Sequence, residues 1–209
     1  MDIQTQQIIA IGKHLYDKDL TVATSGNISI KTDNGIYITT SGSVLGNLTE
    51  KEVVLIDENG HELTEGKASS EKILHAEIYK KRPDIKAIIH THPVHLTSFA
   101  ACHIPLKEPI MSENILYFED IPVAPYAMPS SLKLVENTVK YLVDRDVVLM
   151  ANHGAIAVAD TIEKAFLKME TAEYYAKVAL NTNIIGSPQN LTPQDVQDLL
   201  DLKASMSQK

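Results

Sequence analysis

Ile8, Ile11 and Leu15 recur at helical spacing between polar neighbours and predict a helix over residues 3–16. The period then changes. Residues 27–32, Asn-Ile-Ser-Ile-Lys-Thr, and 36–40, Ile-Tyr-Ile-Thr-Thr, flank Asp33-Asn34-Gly35 and predict a β-hairpin. Val53-Val54-Leu55-Ile56-Asp57 before Glu58-Asn59-Gly60 reads as a further strand and turn, the start of a second hairpin. Ser69 or Ser70 caps a helix to about Arg82, with Leu74 and Ile78 inside and Pro83 ending it. A strand over residues 86–92 follows, then a less regular stretch. Residues 121–124 read as a short strand, Leu132, Val135, Val139 and Leu142 mark a helix, and residues 147–150 form another strand. Asp160 with Glu163 gives a capping box for a long helix to about Leu180, and Thr192-Pro193 opens a last one. The order predicts an α/β fold, a mixed, largely antiparallel sheet covered by helices. A doubly wound dinucleotide fold fits poorly, since no Gly-x-Gly-x-x-Gly opens a helix.

Composition narrows the function classes. At 209 residues the chain suits one domain, 1–209, with only the polar end after Leu202 as a tail. Its 19 basic and 27 acidic side chains give a net charge of −8, without the basic footprint that nucleic acid requires. No apolar stretch approaches a membrane span and the N-terminus lacks signal-peptide features, so a soluble, uncleaved protein is expected. The single cysteine, Cys102, reads as a buried inert thiol and makes the cytoplasm the default location.

The chemistry concentrates at three histidines. His90 and His92 end an apolar strand, where residues two apart share a face, so both imidazoles can converge on one metal ion. Such a pair by itself reads equally well as hydrogen-bonded surface histidines. His153 also follows an apolar strand directly, and Gly154 after it allows a sharp departure of the backbone. Three histidines with an open position are the pattern of a catalytic zinc. Glu71 follows Ser69-Ser70 at a helix start, where a lone Glu would ordinarily complement the helix dipole. The hydroxyls and N–H groups there, with Gly26-Asn27 and Ser41-Gly42 in turns elsewhere, can form an anion site. His14, His61, His75, His95 and His103 read as solvated or satisfied core side chains. Neither Gly-x-Ser-x-Gly nor His-Glu-x-x-His occurs.

Six segments in register over almost the whole chain carry a resemblance. They are Thr24-Ser25-Gly26-Asn27-Ile28-Ser29, Ile38-Thr39-Thr40-Ser41-Gly42, Ser69-Ser70-Glu71, His90-Thr91-His92-Pro93-Val94-His95, Ala124-Pro125-Tyr126-Ala127 and Asn152-His153-Gly154. With them the sequence resembles the class II aldolase, ribulose-phosphate 4-epimerase and adducin head family, nearest to its fuculose-phosphate aldolases. The resemblance implies a three-layer αβα fold and a homotetramer with one Zn²⁺ per subunit. It implies His90, His92 and His153 as ligands, and Glu71 as the acid/base that also touches the metal when substrate is absent. Gly26, Asn27, Ser41, Gly42, Ser69 and Ser70 would cradle phosphate, and Tyr126 or Tyr117 would be the second acid/base. The implied reaction cleaves a (deoxy)ketose 1-phosphate, such as L-fuculose 1-phosphate, to dihydroxyacetone phosphate and an aldehyde through an enediolate on zinc. Glu rather than Asp after the serines favours aldolase over epimerase. An adducin-like binding module would lack the metal histidines, and a lysine Schiff-base aldolase would need a distinguished lysine, which Lys67 and Lys72 are not. The aromatic residues that surround the aldehyde end in the fuculose enzymes are missing from residues 107–111, 128–129 and the tail, which makes a related deoxyketose phosphate a candidate substrate.

Overall fold

Alternation in residues 27–40 produces the hairpin it predicts. In the computed structural model, which describes residues 2–206, β1 (Asn27–Thr32) pairs antiparallel with β2 (Gly35–Thr39), Thr32 opposite Gly35. β3 (Val53–Ile56) lies on the far side of β2. The second hairpin expected after it is corrected to a single bridge, Ile56 with Glu62. Asp57 closes that turn locally, its carboxylate accepting from the backbone N–H groups of Asn59 and His61.

The remaining elements are α1 (Ile3–Asp17), α2 (Lys72–Lys81), β4 (Ala87–Thr91), α3 (Val94–Cys102), α4 (Ser112–Tyr117), β5 (Val123–Ala124), α5 (Leu132–Tyr141), β6 (Val147–Met150), β7 (Gly154–Ala159), α6 (Ile162–Ile185) and α7 (Pro193–Met206). Three of these correct the sequence reading: α3 and α4 occupy the stretch read as irregular, and β7 was not predicted. Every residue of β7 is buried, so its run Ala-Ile-Ala-Val-Ala carries no polar alternation to reveal a strand. Helix starts shift as well. Thr161, not Asp160, caps α6 by accepting from the Lys164 N–H, while Asp160 pairs with the Lys164 ammonium, and the helix runs to Ile185. α2 begins after Glu71 rather than at the serines. α7 opens as expected, with Thr192 and Asp195 bonded reciprocally, and carries the predicted tail as helix to Met206; residues 207–209 lie outside the described residues.

The sheet runs β3-β2-β1-β4-β7-β6-β5, antiparallel throughout except for the β5–β6 pair, which matches the mixed sheet expected. Period two splits its side chains between two cores. Ile28, Ile30, Ile89, Ala155 and Ala157 pack toward α1, α3 and α6; Ile36, Ile38, Ile88, Ile156 and Val158 pack toward α2 and α5. Leu74 and Ile78 point inward from α2, as their spacing predicts. Alanines on one face of β7 meet alanines of α6, which brings the longest helix close to the sheet centre. Among the described residues no helix is long and apolar enough to cross a membrane.

Candidate active site

The site forms where three chain reversals meet at one end of the central strands. His90 is the penultimate residue of β4, on the face that turns toward α2, and His92 follows the strand. His153 sits in the tight β6–β7 turn, where Met150 is opposite Gly154. The three rings form a nearly equilateral triangle, with centroids 4.8–5.1 Å apart and planes inclined at 63–68° to one another. One nitrogen from each lies within 4.8 Å of the others. His90 donates Nδ1–H to the carbonyl of Ala155 at 2.9 Å, which turns Nε2 toward His92 Nε2, 3.2 Å away. Burial first, and then the neighbouring His90 ring, lower the pKa of His92 to about 3 and that of His153 to about 4. The three rings converge on one point, with His92 and His153 held neutral by their burial, an arrangement that fits a divalent cation, and the donor set is the one zinc favours.

Glu71 closes the fourth side. As the N-cap residue of α2 it is 7% exposed, with Oε2 3.3 Å from His90 Nε2 and Oε1 3.7 Å from His153 Nε2. Glu71 Oε1, the oxygen that faces His153 Nε2, is a buried side-chain atom without a hydrogen-bond partner, so the carboxylate holds an unspent lone pair beside the histidines. Burial pushes the Glu71 carboxyl up, but the adjacent histidine rings, His90 foremost, and the Asn27 N–H outweigh it and hold its pKa below the ordinary value.

A polar cleft of about 250 Å³ opens from this cluster and is lined by Gly26, Ser41, Gly42, Ser69, Ser70 and their neighbours, which joins the predicted anion segments to the histidines. Ser70 is exposed, whereas Ser69 is buried and accepts from the Glu71 N–H. The Asn27 side chain is committed differently: it donates to Glu71 Oε2 at 2.9 Å and accepts from His75. Thr24, Thr40, Pro129 and Ser130 also line the cleft. The last two were not singled out from sequence, although Ser130 carries a left-handed φ of 63°, a conformation that concentrates at functional sites. Tyr126 and Tyr117 are 58% and 45% exposed and do not line the cleft of the single chain. Cys102 is exposed at the outer end of α3, correcting its reading as a buried thiol. Of the histidines read as solvated or satisfied, His95 bonds Glu173 at 2.6 Å and His103 bonds Asn152 at 2.7 Å.

Gly154 serves the site in a way the sequence reading did not anticipate. Its φ is ordinary; the left-handed residue of the turn is Asn152, at 54°. What matters is the missing Cβ, which would meet the His92 ring and stand 2.7 Å from the carbonyl oxygen of Thr91. Backbone on the paired strand cannot move aside cheaply. Gly154→Ala is therefore expected to cost about 1–3 kcal/mol in urea unfolding and to weaken metal retention by displacing His92. Unchanged values of both would contradict that packing role.

Residues 6–180 match the family described as Class II Aldolase and Adducin N-terminal domain. The L-fuculose phosphate aldolase of Methanocaldococcus jannaschii is 38% identical, over 84% of this chain and 94% of that protein. The 5-deoxy-D-ribulose 1-phosphate aldolase of Bacillus thuringiensis is 33% identical, over 94% and 93% respectively. A solved L-fuculose 1-phosphate aldolase superposes with a TM-score of 0.90 at 32% identity, covering 96% of each chain.

Proposed function

From the premise that the chain belongs to the class II aldolase and adducin N-terminal domain family, we propose that it is a zinc-dependent aldehyde-lyase. It cleaves a (deoxy)ketose 1-phosphate to dihydroxyacetone phosphate and an aldehyde. The observation that carries this reading is the meeting of three histidines and a buried carboxylate at the end of a serine- and glycine-lined cleft. The similarity to aldolases named for two different sugar phosphates supports the reaction type while leaving the aldehyde open.

His90, His92 and His153 would hold the metal, which when bound supplies a Lewis acid for the negative charge that develops on the ketose oxygens. Gly26, Ser41, Gly42, Ser69 and Ser70 hold the phosphate, so that binding energy far from the reacting bond fixes the sugar beside Glu71. In cleavage the C3–C4 bond breaks, the C4 hydroxyl loses its proton and C4 becomes the aldehyde carbon. Glu71, after taking up a proton from solvent, delivers it to the electron pair left at C3; in synthesis the ionised carboxylate removes that proton and returns it to solvent. We assign the C4 hydroxyl proton to Tyr126, whose exposed ring lies three residues before the cleft residue Pro129 and is free to reach a neighbouring subunit's cleft in a homotetramer.

The test is release of dihydroxyacetone phosphate from a panel of ketose 1- and 5-phosphates, followed with a coupled dehydrogenase, with and without EDTA. Chelator-sensitive release from one ketose 1-phosphate is expected and names the aldehyde. Interconversion of a ketose 5-phosphate at C4 without release would replace the aldolase reading with an epimerase.

A further inference from the structure

Behind Glu71, away from the cleft, two periodicities interlock. Glu71, His75 and Tyr79 are spaced by four and lie along one side of α2, while Asn27 and Ser29 are spaced by two on the facing side of β1. Their polar groups alternate as rungs. Asn27 Nδ2 is 2.9 Å from Glu71 Oε2, His75 Nε2 is 2.6 Å from Asn27 Oδ1, Ser29 Oγ is 2.7 Å from His75 Nδ1, and Tyr79 OH is 2.8 Å from Ser29 Oγ. None of the five side chains is more than 7% exposed, and His75 and Ser29 are wholly buried.

Proton counting gives this chain one direction. An ionised carboxylate only accepts, so the amide nitrogen of Asn27 faces Glu71 and its oxygen faces His75. His75 Nε2 then carries the hydrogen. In a neutral ring Nδ1 accepts, Ser29 donates its hydroxyl proton there, and the Ser29 oxygen is left to accept from Tyr79. The Asn27, His75 and Ser29 donors point toward the carboxylate, and the Tyr79 hydroxyl at the far end is shared between Ser29 Oγ and the carbonyls of Ser29 and Lys86, 3.1 and 3.4 Å away. An amide in the middle cannot readily pass a proton along, so the chain orients and polarises rather than conducts.

We propose that Tyr79, Ser29 and His75, acting through Asn27, are positioning residues that fix the rotamer of Glu71 and aim its second oxygen into the cleft. The unpartnered Glu71 Oε1 is the oxygen so presented, and Oε2 is the one held. The proposal rests on Glu71 being the acid/base of the aldolase reading.

Three variants and one spectrum test it, with the wild-type aldolase assay run alongside. His75→Leu removes the donor to Asn27 and is expected to lower kcat about 10- to 100-fold with KM within about 2-fold and metal content unchanged, the range seen when a supporting hydrogen-bond partner is lost. His75→Gln restores an amide donor near the Nε2 position and is expected to recover most of that loss. Tyr79→Phe removes one hydroxyl three links away and is expected to lower kcat by a smaller factor without altering KM; it serves if His75→Leu fails to fold. In ¹⁵N spectra of labelled protein, His75 is expected as the Nε2–H tautomer. The opposite tautomer, a wild-type kcat in folded His75→Leu, or a loss of kcat that follows metal content would each overturn the relay. An inactive wild type showing the Nε2–H tautomer would instead remove the aldolase reading and leave the hydrogen-bond direction intact.

Discussion

Alanine in place of His92 is expected to give a folded chain that no longer retains a divalent metal after dialysis and has lost at least ~10³-fold of turnover. The size follows from what the ion supplies: several kcal/mol of charge stabilisation, at about 1.4 kcal/mol per factor of ten. Folding should survive, because the apo site gains little from His92. The ring is only partly buried, and its Nε2 lies 3.2 Å from His90 Nε2, a contact that requires one of the two to hold a proton. Metal analysis and thermal melting separate these effects. Added zinc should raise the melting temperature of the apo wild type by mass action and leave that of His92→Ala where it was. Normal zinc content in the variant would remove His92 from the ligand set.

Much of this site is legible because its residues sit where local periodicity changes. His90 and His92 stand two apart at the end of an apolar strand, and His153 stands three residues past another, so the sequence pattern brings attention to all three before any fold is known. The sheet they share was less legible. β7 joins β4 to β6 and completes the triangle, yet a strand buried on both faces has no polar positions to betray it. The relay behind Glu71 was illegible for another reason. Asn27 and Glu71 are 44 positions apart and Ser29 and Tyr79 are 50 apart, so no window of sequence contains both strands of the argument. His75 alone reads as a satisfied core histidine, and it is one. Only the packing of α2 on β1 reveals what satisfies it. The cap error was local: Asp160 and Thr161 are adjacent and both carry side-chain oxygens, and Thr161 accepts the Lys164 N–H while Asp160 accepts from the Lys164 ammonium.

The stability and the chemistry of the site use the same elements in opposed ways. Outside the cleft the partly buried Arg82 is paired with the carbonyl of Leu142 and with Asp146, and the buried side-chain atoms without a partner among the described residues are hydroxyls, of Thr91, Thr97 and Thr138. At the cleft, the Glu71 Oε1 oxygen is left unpaired and buried, a cost of about 1–3 kcal/mol that a metal ion and substrate can offset. That arrangement supports reading the cluster as a place of binding rather than as part of the core.

Glu71→Gln is expected to keep both fold and metal while lowering kcat by about 10²–10⁴, the usual contribution of a positioned proton-transfer group. The substitution preserves shape, and its amide oxygen can take the place of Oε2, still accepting from Asn27 Nδ2 and so keeping the relay intact. The amide nitrogen then occupies the Oε1 position, 3.7 Å from His153 Nε2, where it carries no proton that it can exchange with C3. Zinc content should stay near one ion per chain, since His90, His92 and His153 are untouched. KM for the ketose phosphate should change little, because the phosphate contacts lie in the Ser41-Gly42 and Ser69-Ser70 segments rather than on the carboxylate. Exchange of a C3 proton of dihydroxyacetone phosphate with solvent deuterium isolates the step: wild type should catalyse it without any aldehyde present, and Glu71→Gln should lose it by the same factor as kcat. Exchange at the wild-type rate in a variant slow in cleavage would move proton transfer at C3 to another group and confine Glu71 to shaping the metal site.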